Sequence, residues 1–298
     1  MIKLQYKSSC CRYYIREHSV TVVEGKDSVK HINRIITSNI TEIKDLENCK
    51  SLICDANGKI TDALEISSIS GQLLILGIKE NAEKTRELIV SGTHWNEDVK
   101  IMNGDGALKI ISIFAKNQEQ VSNILGTEIS TMGDDFWIIE NDSYILKVKL
   151  KNDYQVNILI QTDLIDSFIN TIEGNGAELC DEGTWDTHRI ENGILDNEEY
   201  NQGFLPGELG LDEIVDLKKG CYPGQEIHAR LESRGKLSKK IMRFRTDSRL
   251  DVGTYLSNTG RKVRVTSSLG NQGFAVISVK ENSELKINDE LLISTEEL

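Results

Sequence analysis

Lys218-Lys219-Gly220-Cys221-Tyr222-Pro223-Gly224-Gln225-Glu226 is the most informative stretch of this chain. It holds one of six cysteines and one of only two prolines in 298 residues. Gly220 and Gly224 can take backbone conformations closed to other residues. Pro223 fixes its own φ and pushes Tyr222 out of the helical region. These residues predict a tight, stiff loop with Cys221 near its tip. Lys218 and Lys219 precede the thiol directly, and nearby positive charge favours thiolate over a free thiol of pKa about 8.5. The spacing is equally compatible with a glycine-rich turn carrying an incidental cysteine.

Lys219 to Glu226 resembles the K-G-C-Y-x-G-Q-E signature of the YgfZ family, with Pro223 at the variable position. Ala229-Arg230 and Arg234-Gly235 are similar to its A-R…x-x-G continuation. Arg189-Ile190-Glu191-Asn192-Gly193 resembles R-I-E-x-G, and Leu205-Pro206-Gly207-Glu208 resembles L-P-x-E. Gly25 to Asn39 and Gly58 to Leu64 are similar to the family's G-x-D…L-T-N and G-x-x-x-D-x-L stretches. That family comprises folate-binding-like proteins of iron–sulfur cluster assembly and repair, related to the aminomethyltransferase (T-protein) of glycine cleavage. The resemblance is strong over about 185–240 and weak over about 95–180.

The resemblance implies an α+β, aminomethyltransferase-like folate-binding fold, with mixed or antiparallel sheets, helices and a small C-terminal β-barrel. It implies that Cys221, with Lys219, is the working group. It also implies a weakly bound tetrahydrofolate-type cofactor near Asp62, Arg189, Tyr222 and Gln225. Iron–sulfur proteins or their assembly machinery are the implied partners. Two other functions are compatible: a tetrahydrofolate-dependent aminomethyl or one-carbon transferase, and a tRNA-modification-associated binding factor.

The residues themselves add to this. Length predicts more than one domain. With 39% hydrophobic and 28% charged residues the composition is that of a globular protein. The N-terminus shows no apolar signal region, and no run is long enough for a membrane span, so a cytoplasmic protein is expected. Six cysteines without a C-x-x-C pair argue against disulfides and against a metal site. Net charge of −12 opposes nucleic-acid binding by the whole surface. Yet residues 218–249 carry ten Lys or Arg against three Asp or Glu, an excess of +7 that leaves −19 elsewhere. A basic patch there suits an anionic ligand such as a folate tail, a phosphate or tRNA, or is simply a solvated surface.

Hydrophobic periodicity predicts strands near 18–24, 51–54, 60–66, 72–78, 107–114, 136–139, 144–150 and 154–160. It predicts helices starting at Asp27 or Ser28 and over 81–91, 117–125, 163–174 and 185–191. Asn57-Gly58 reads as a tight hairpin turn. Beyond Gly235 only short strands fit, at 240–246, 261–267, 272–279 and 290–293, hence the expected barrel. Domains are expected over 1–112, 113–234 and 235–298.

Asp62 stands out because period two puts it on one strand face with Ile60, Leu64 and Ile66. A carboxylate there must be paired, protonated or lining a cavity. Its stretch also resembles the one whose aspartate meets folate in the aminomethyltransferases. Arg189 offers a donor fork suited to a carboxylate, or pairs internally with Glu191 or Glu208. Tyr222 and Trp185 suit stacking on a pterin, or simply core packing. His188 and His228 read as packing histidines rather than bases. Two departures matter and point away from glycine cleavage: the aminomethyltransferases carry a G-Y-T-G-E-D-G stretch with a pterin-recognising glutamate where Lys151 to Ile158 has none, and they lack the cysteine motif.

Overall fold

The computed structural model describes residues 10–281, 285–287, 290–291 and 293–296. The chain divides into two compact units. Residues up to Val29, Glu42–Cys49 and Glu65–Trp185 form the first; Lys30–Thr41, Lys50–Leu64 and the chain from Asp186 form the second. The expected division into 1–112, 113–234 and 235–298 is linear. The chain instead passes between units inside single strands, at Cys49/Lys50 within Asn48–Cys54 and at Leu64/Glu65 within Ile60–Ile69.

The first unit holds a six-stranded sheet in the order Glu178–Leu179, Arg12–Arg16, Leu108–Ala115, Tyr154–Gln161, Ser143–Val148, Ile138–Glu140. Its pairings are antiparallel except that of Arg12–Arg16 with Glu178–Leu179. Side chains alternate across a strand, and the alternation sorts the core. Ile111, Ile113, Val156 and Ile158 pack with Val121 and Ile124 of helix Gln118–Leu125 and Ile172 of helix Ile165–Gly174. Ile110, Leu146 and Leu159 point the other way and pack with Val20, Leu74, Leu76 and Trp137. Asn117 caps the first of these helices by accepting from Glu119 N at 2.8 Å, and Gly126 ends it in the left-handed region at φ 70°. The unit also pairs Glu65–Ile69 with Gln72–Leu76, Ser19–Val23 with Leu73–Gly77, and Thr21–Glu24 with Lys100–Asn103, all antiparallel.

The second unit carries an antiparallel sheet in the order Gly253–Leu256, Lys262–Leu269, Gln272–Ser278, Lys239–Arg245, Ile293–Glu296. Lys286–Ile287 and Glu290–Leu291 form a separate two-stranded ribbon. This separate antiparallel sheet lies where the short C-terminal strands were expected. Both its faces are buried. Met242, Phe244, Val263, Val265, Ala275 and Ile277 make one core. Ile241, Phe274 and Val276 make another with Leu52, Cys54, Ile60, Ile190, Phe204 and Leu209. Burying one such aromatic as completely as Phe274 is worth about 1.5–3 kcal/mol.

Most expected elements are present within a residue or two. The exception nearest the motif is the helix Gln225–Arg234, which directly follows the cysteine loop. Its apolar signal is thin, essentially Ile227 and Leu231 four residues apart, with Gly235 closing it at φ 67°. Strands Arg12–Arg16, Lys100–Asn103 and Gly253–Leu256 were also unanticipated.

Candidate functional site

Cys221 is exposed, as the loop chemistry led us to expect. The loop that presents it is pinned at several points. The Asp216 carboxylate accepts from the backbone N–H of Lys218 at 2.7 Å and of Lys219 at 3.2 Å, which closes the turn leading to the thiol. Gln225 Nε2 donates to the carbonyls of Leu217 at 3.3 Å and Lys219 at 3.4 Å, tying the loop's exit to its entrance. Lys219 is buried, and its ammonium donates to Ile36 O at 2.7 Å and Ser38 O at 2.6 Å. The ammonium also lies 5.5 Å from the Tyr222 ring centroid. Lys219 is therefore an anchor for the loop.

The anchor point is itself tied down. Thr37 N donates to Leu52 O, and its hydroxyl donates to Ile214 O at 2.8 Å. Ser38 N donates to the Ser51 hydroxyl at 3.0 Å. Asp216 N donates to Thr37 O at 3.0 Å. Residues 36–38 thus link strand Asn48–Cys54 to the segment entering the cysteine loop.

The two glycine-containing motifs meet. Gly224 adopts φ 83° and Gly58 φ 74°. Their backbones approach so closely that a Cβ on Gly224 would lie 2.5 Å from Gly58 Cα and 2.6 Å from Asp55 O. Gly220, by contrast, has no positive φ and open space where a Cβ would point, so it does not need to be glycine. His228 seals the junction: its Nε2–H donates to Gly58 O at 2.7 Å, and Nδ1 lies 3.2 Å from the Tyr222 hydroxyl. With Nε2 donating, the neutral ring leaves Nδ1 to accept from tyrosine. Burial raises the Tyr222 phenol above its ordinary pKa, aided by the nearby Cys54 and Asp216. Burial also pushes the Cys54 thiol up to about 12, with Asp55 adding to it. His228 is the packing histidine that the sequence indicated, and it buttresses the cysteine loop.

The residues expected to hold a cofactor have partners of their own. Asp62 is fully buried on the face of Ile60 and Leu64, and its Oδ1 accepts from Ala63 N at 2.9 Å. Arg189 is buried too, but it pairs with neither Glu191 nor Glu208. Its Nε donates to Asp186 at 2.6 Å, Nη1 to Glu199 at 3.2 Å and Nη2 to the Ser267 hydroxyl at 2.9 Å. The same hydroxyl donates to Glu199 at 2.5 Å, and Glu199 also accepts from Asp196 N at 3.1 Å. Burial raises the Glu199 pKa, opposed by Arg189 and Ser267. Glu208 instead caps its own turn by accepting from Leu205 N at 3.1 Å. The polar groups of Arg189 and Tyr222, and the Nε2 of Gln225, are thus engaged within the protein. Trp185 stacks on Tyr14 at 5.1 Å and 6°, which makes it core. Where a pterin-recognising glutamate was missing, strand Tyr154–Gln161 carries the buried amides Gln155 and Asn157, the latter accepting from Ser112 at 2.9 Å. No group of three or more His, Cys, Asp or Glu suited to a metal occurs among the described residues. No described helix is long and apolar enough to cross a membrane.

No family model matches the chain. The aminomethyltransferase T of the glycine cleavage system from Bartonella henselae superposes with TM-score 0.83 at 13% identity, covering 97% of this chain and 86% of that one. The fold is thus that of the aminomethyltransferases. An aminomethyltransferase from a Thermotoga species is 24% identical over 91% of this chain and 78% of its own. The tRNA-modifying protein YgfZ of Vibrio atlanticus is 20% identical over 96% of this chain and 88% of its own. Further YgfZ proteins match at 20–24%. With the cysteine motif intact and presented, the chain is similar to the YgfZ proteins and shares the fold of the aminomethyltransferases.

Proposed function

We propose that this protein assists iron–sulfur cluster assembly or repair, with Cys221 as its working thiol. The observation that carries the reading is an exposed cysteine on a loop fixed by Lys219, Gln225, Asp216 and the Gly58–Gly224 contact. Such pinning is not required to bury any apolar surface at Cys221, which is exposed. It positions a thiol for a partner. Lys219 acts by holding the loop. A tetrahydrofolate-type ligand, if bound near Asp62, Arg189, Tyr222 and Gln225, must first displace internal hydrogen bonds. Each is worth about 0.5–1.5 kcal/mol, more where a charge is involved, so binding is expected to be weak.

The test is complementation. In cells lacking their own copy, wild type restores iron–sulfur enzyme activities and Cys221→Ser does not, although the variant folds normally. Full complementation by Cys221→Ser overturns the reading. The alternative of aminomethyl transfer predicts turnover of an aminomethyl-lipoyl carrier at enzymatic rates, independent of Cys221. A second reading, a factor associated with tRNA modification, is favoured by the name that several relatives carry.

A further inference from the structure

A cavity of about 250 Å³ opens in the first unit, between helices Gln118–Leu125 and Ile165–Gly174 and the hairpin that joins Ile138–Glu140 to Ser143–Val148. Ile145, Ile160 and Ile172 of the buried core line it, and Leu125, Leu164 and Phe168 line it while only half-buried. Its exposed lining residues, Asn141, Asp142, Ser167 and Thr171, mark the mouth. Protein interiors pack to crystal density with few voids larger than a water molecule. A space of this size leaves Leu125, Leu164 and Phe168 without contact atoms on one side.

The walls are tied in place. Asn175 Nδ2 donates to Ile124 O at 2.9 Å, which joins the end of the second helix to the first. The Tyr13 hydroxyl donates to Glu173 at 2.7 Å and holds the second helix to the sheet. Glu140 accepts from the Thr127 hydroxyl, and the Ser143 hydroxyl donates to Glu140 O at 2.8 Å. Asn141 and Asp142 take φ 48° and 59°, the pair of left-handed residues that a two-residue hairpin turn needs. The opening is therefore preformed.

Its surroundings carry one sign of charge. Residues 118–142 and 162–174 hold nine Asp or Glu and no Lys or Arg. Asp134 is offset by Lys147 of the neighbouring strand at 2.8 Å. Asp142 and Asp163 are exposed and make no ion pair among the described residues. Asp142 stands on the hairpin tip, and Asp163 lies one turn before Ser167 on the side of the mouth.

We propose that this cavity docks a basic segment of a partner protein by one bulky apolar side chain, with a neighbouring Lys or Arg meeting Asp142 and Asp163. Size decides the anchor. Clefts for drug- or cofactor-sized molecules run from about 300 to 1,000 Å³, whereas this space suits one aromatic or large aliphatic side chain. Such anchors in water-excluding pockets carry most of the energy of an interface. Charge decides the flanks: the acidic rim steers a basic segment in and repels an acidic one. The cavity belongs to the first unit and Cys221 to the second, so this docking role does not rest on the thiol chemistry.

The test is selection of phage-displayed random dodecapeptides on the full chain, followed by anisotropy titration of the enriched peptides from about 50 to about 300 mM KCl. Enriched sequences should place Phe, Trp, Leu or Met within two residues of a Lys or Arg. Thr171→Trp fills the cavity and should weaken these peptides at least about tenfold at every salt concentration. Ser167→Trp should do the same, and it replaces the first variant if that one unfolds at lower urea than wild type. Asp142→Asn/Asp163→Asn should weaken binding about three- to tenfold at low salt and flatten the salt dependence. Glu232→Gln/Asp247→Asn removes the same charge from exposed sites of the second unit and should bind like wild type, as should Cys221→Ser. Three results overturn the proposal: no enrichment, enriched peptides lacking the apolar–basic pairing, or affinity that both Trp variants leave unchanged. Self-association of wild type that the Trp variants abolish also overturns it, because the occupant is then a second copy of this chain.

Discussion

Gly224 and Gly58 touch backbone to backbone, with room for no side-chain carbon between them: a Cβ on Gly224 would fall 2.5 Å from Gly58 Cα. The contact joins the start of helix Gln225–Arg234 to the turn between strands Asn48–Cys54 and Ile60–Ile69. Through it, the placement of Cys221 depends on residues more than 160 positions earlier in the chain.

Gly224→Ala should therefore be severe. A left-handed φ costs a non-glycine residue about 1–2 kcal/mol, and the overlap with Gly58 and Asp55 O adds to it. Urea unfolding should show a loss of about 3 kcal/mol or more. Gly220→Ala, with ordinary φ and open space, should change stability by less than about 0.5 kcal/mol. Equal effects of the two substitutions would refute the packing argument.

Lys219→Met should leave the carbonyls of Ile36 and Ser38 without their charged donor. Stability is expected to fall by about 2–4 kcal/mol. Amide hydrogen exchange should quicken in 36–38 and across 217–225. Loss of protection confined to one of these two segments would contradict their linkage through the ammonium.

Alkylation of the native protein should mark Cys221 first. Burial holds the Cys11 and Cys54 thiols near pKa 12 and Cys180 near 11, so these three are both covered and protonated at neutral pH. Cys10 and Cys49 are only partly exposed and should follow. Peptide mapping after a short iodoacetamide pulse reads the order directly, and an early label on Cys54 or Cys180 would count against the structure.

Arg189→Met removes the cation facing Glu199, Asp186 and the Ser267 hydroxyl. An uncompensated buried carboxylate should cost about 3–5 kcal/mol. The double variant Arg189→Met/Glu199→Met should recover a large part of that loss. A double variant as unstable as the single one would show that packing, not the stranded charge, sets the cost.

Acid should loosen the Asp55–Lys59 turn. Burial alone would raise the Asp55 pKa, but the N–H groups of Lys59 and Asn57 and the Asn57 amide bring it below 3.8. A depressed folded pKa means stability that is full above the unfolded value and is lost as pH falls through the folded one. Amide exchange at Asn57 and Lys59 should therefore accelerate below about pH 4, where an unpaired Asp begins to protonate, and Asp55→Asn should flatten that dependence. A turn equally protected at pH 2.5 and pH 6 would remove Asp55 from this role.

Local pattern settled much of this protein. Alternation placed Asp62 on the buried face of its strand, since period two needs no knowledge of what covers the strand. Asn117 and Gly126 marked a helix from both ends because caps are local chemistry. The Lys219–Glu226 motif carried the resemblance to the YgfZ family and pointed to the exposed cysteine. Helix Gln225–Arg234 escaped because its few apolar residues give little periodicity; it is held by Gly58 O on His228, a bond between distant segments. Only the tertiary structure turned Lys219 from a neighbour of the thiol into an anchor on Ile36 and Ser38, and committed Arg189 to Glu199 and Ser267. The reason is physical: a long side chain's hydrogen-bond partner is whichever unsatisfied group the fold brings within about 3 Å, and sequence spacing does not specify that.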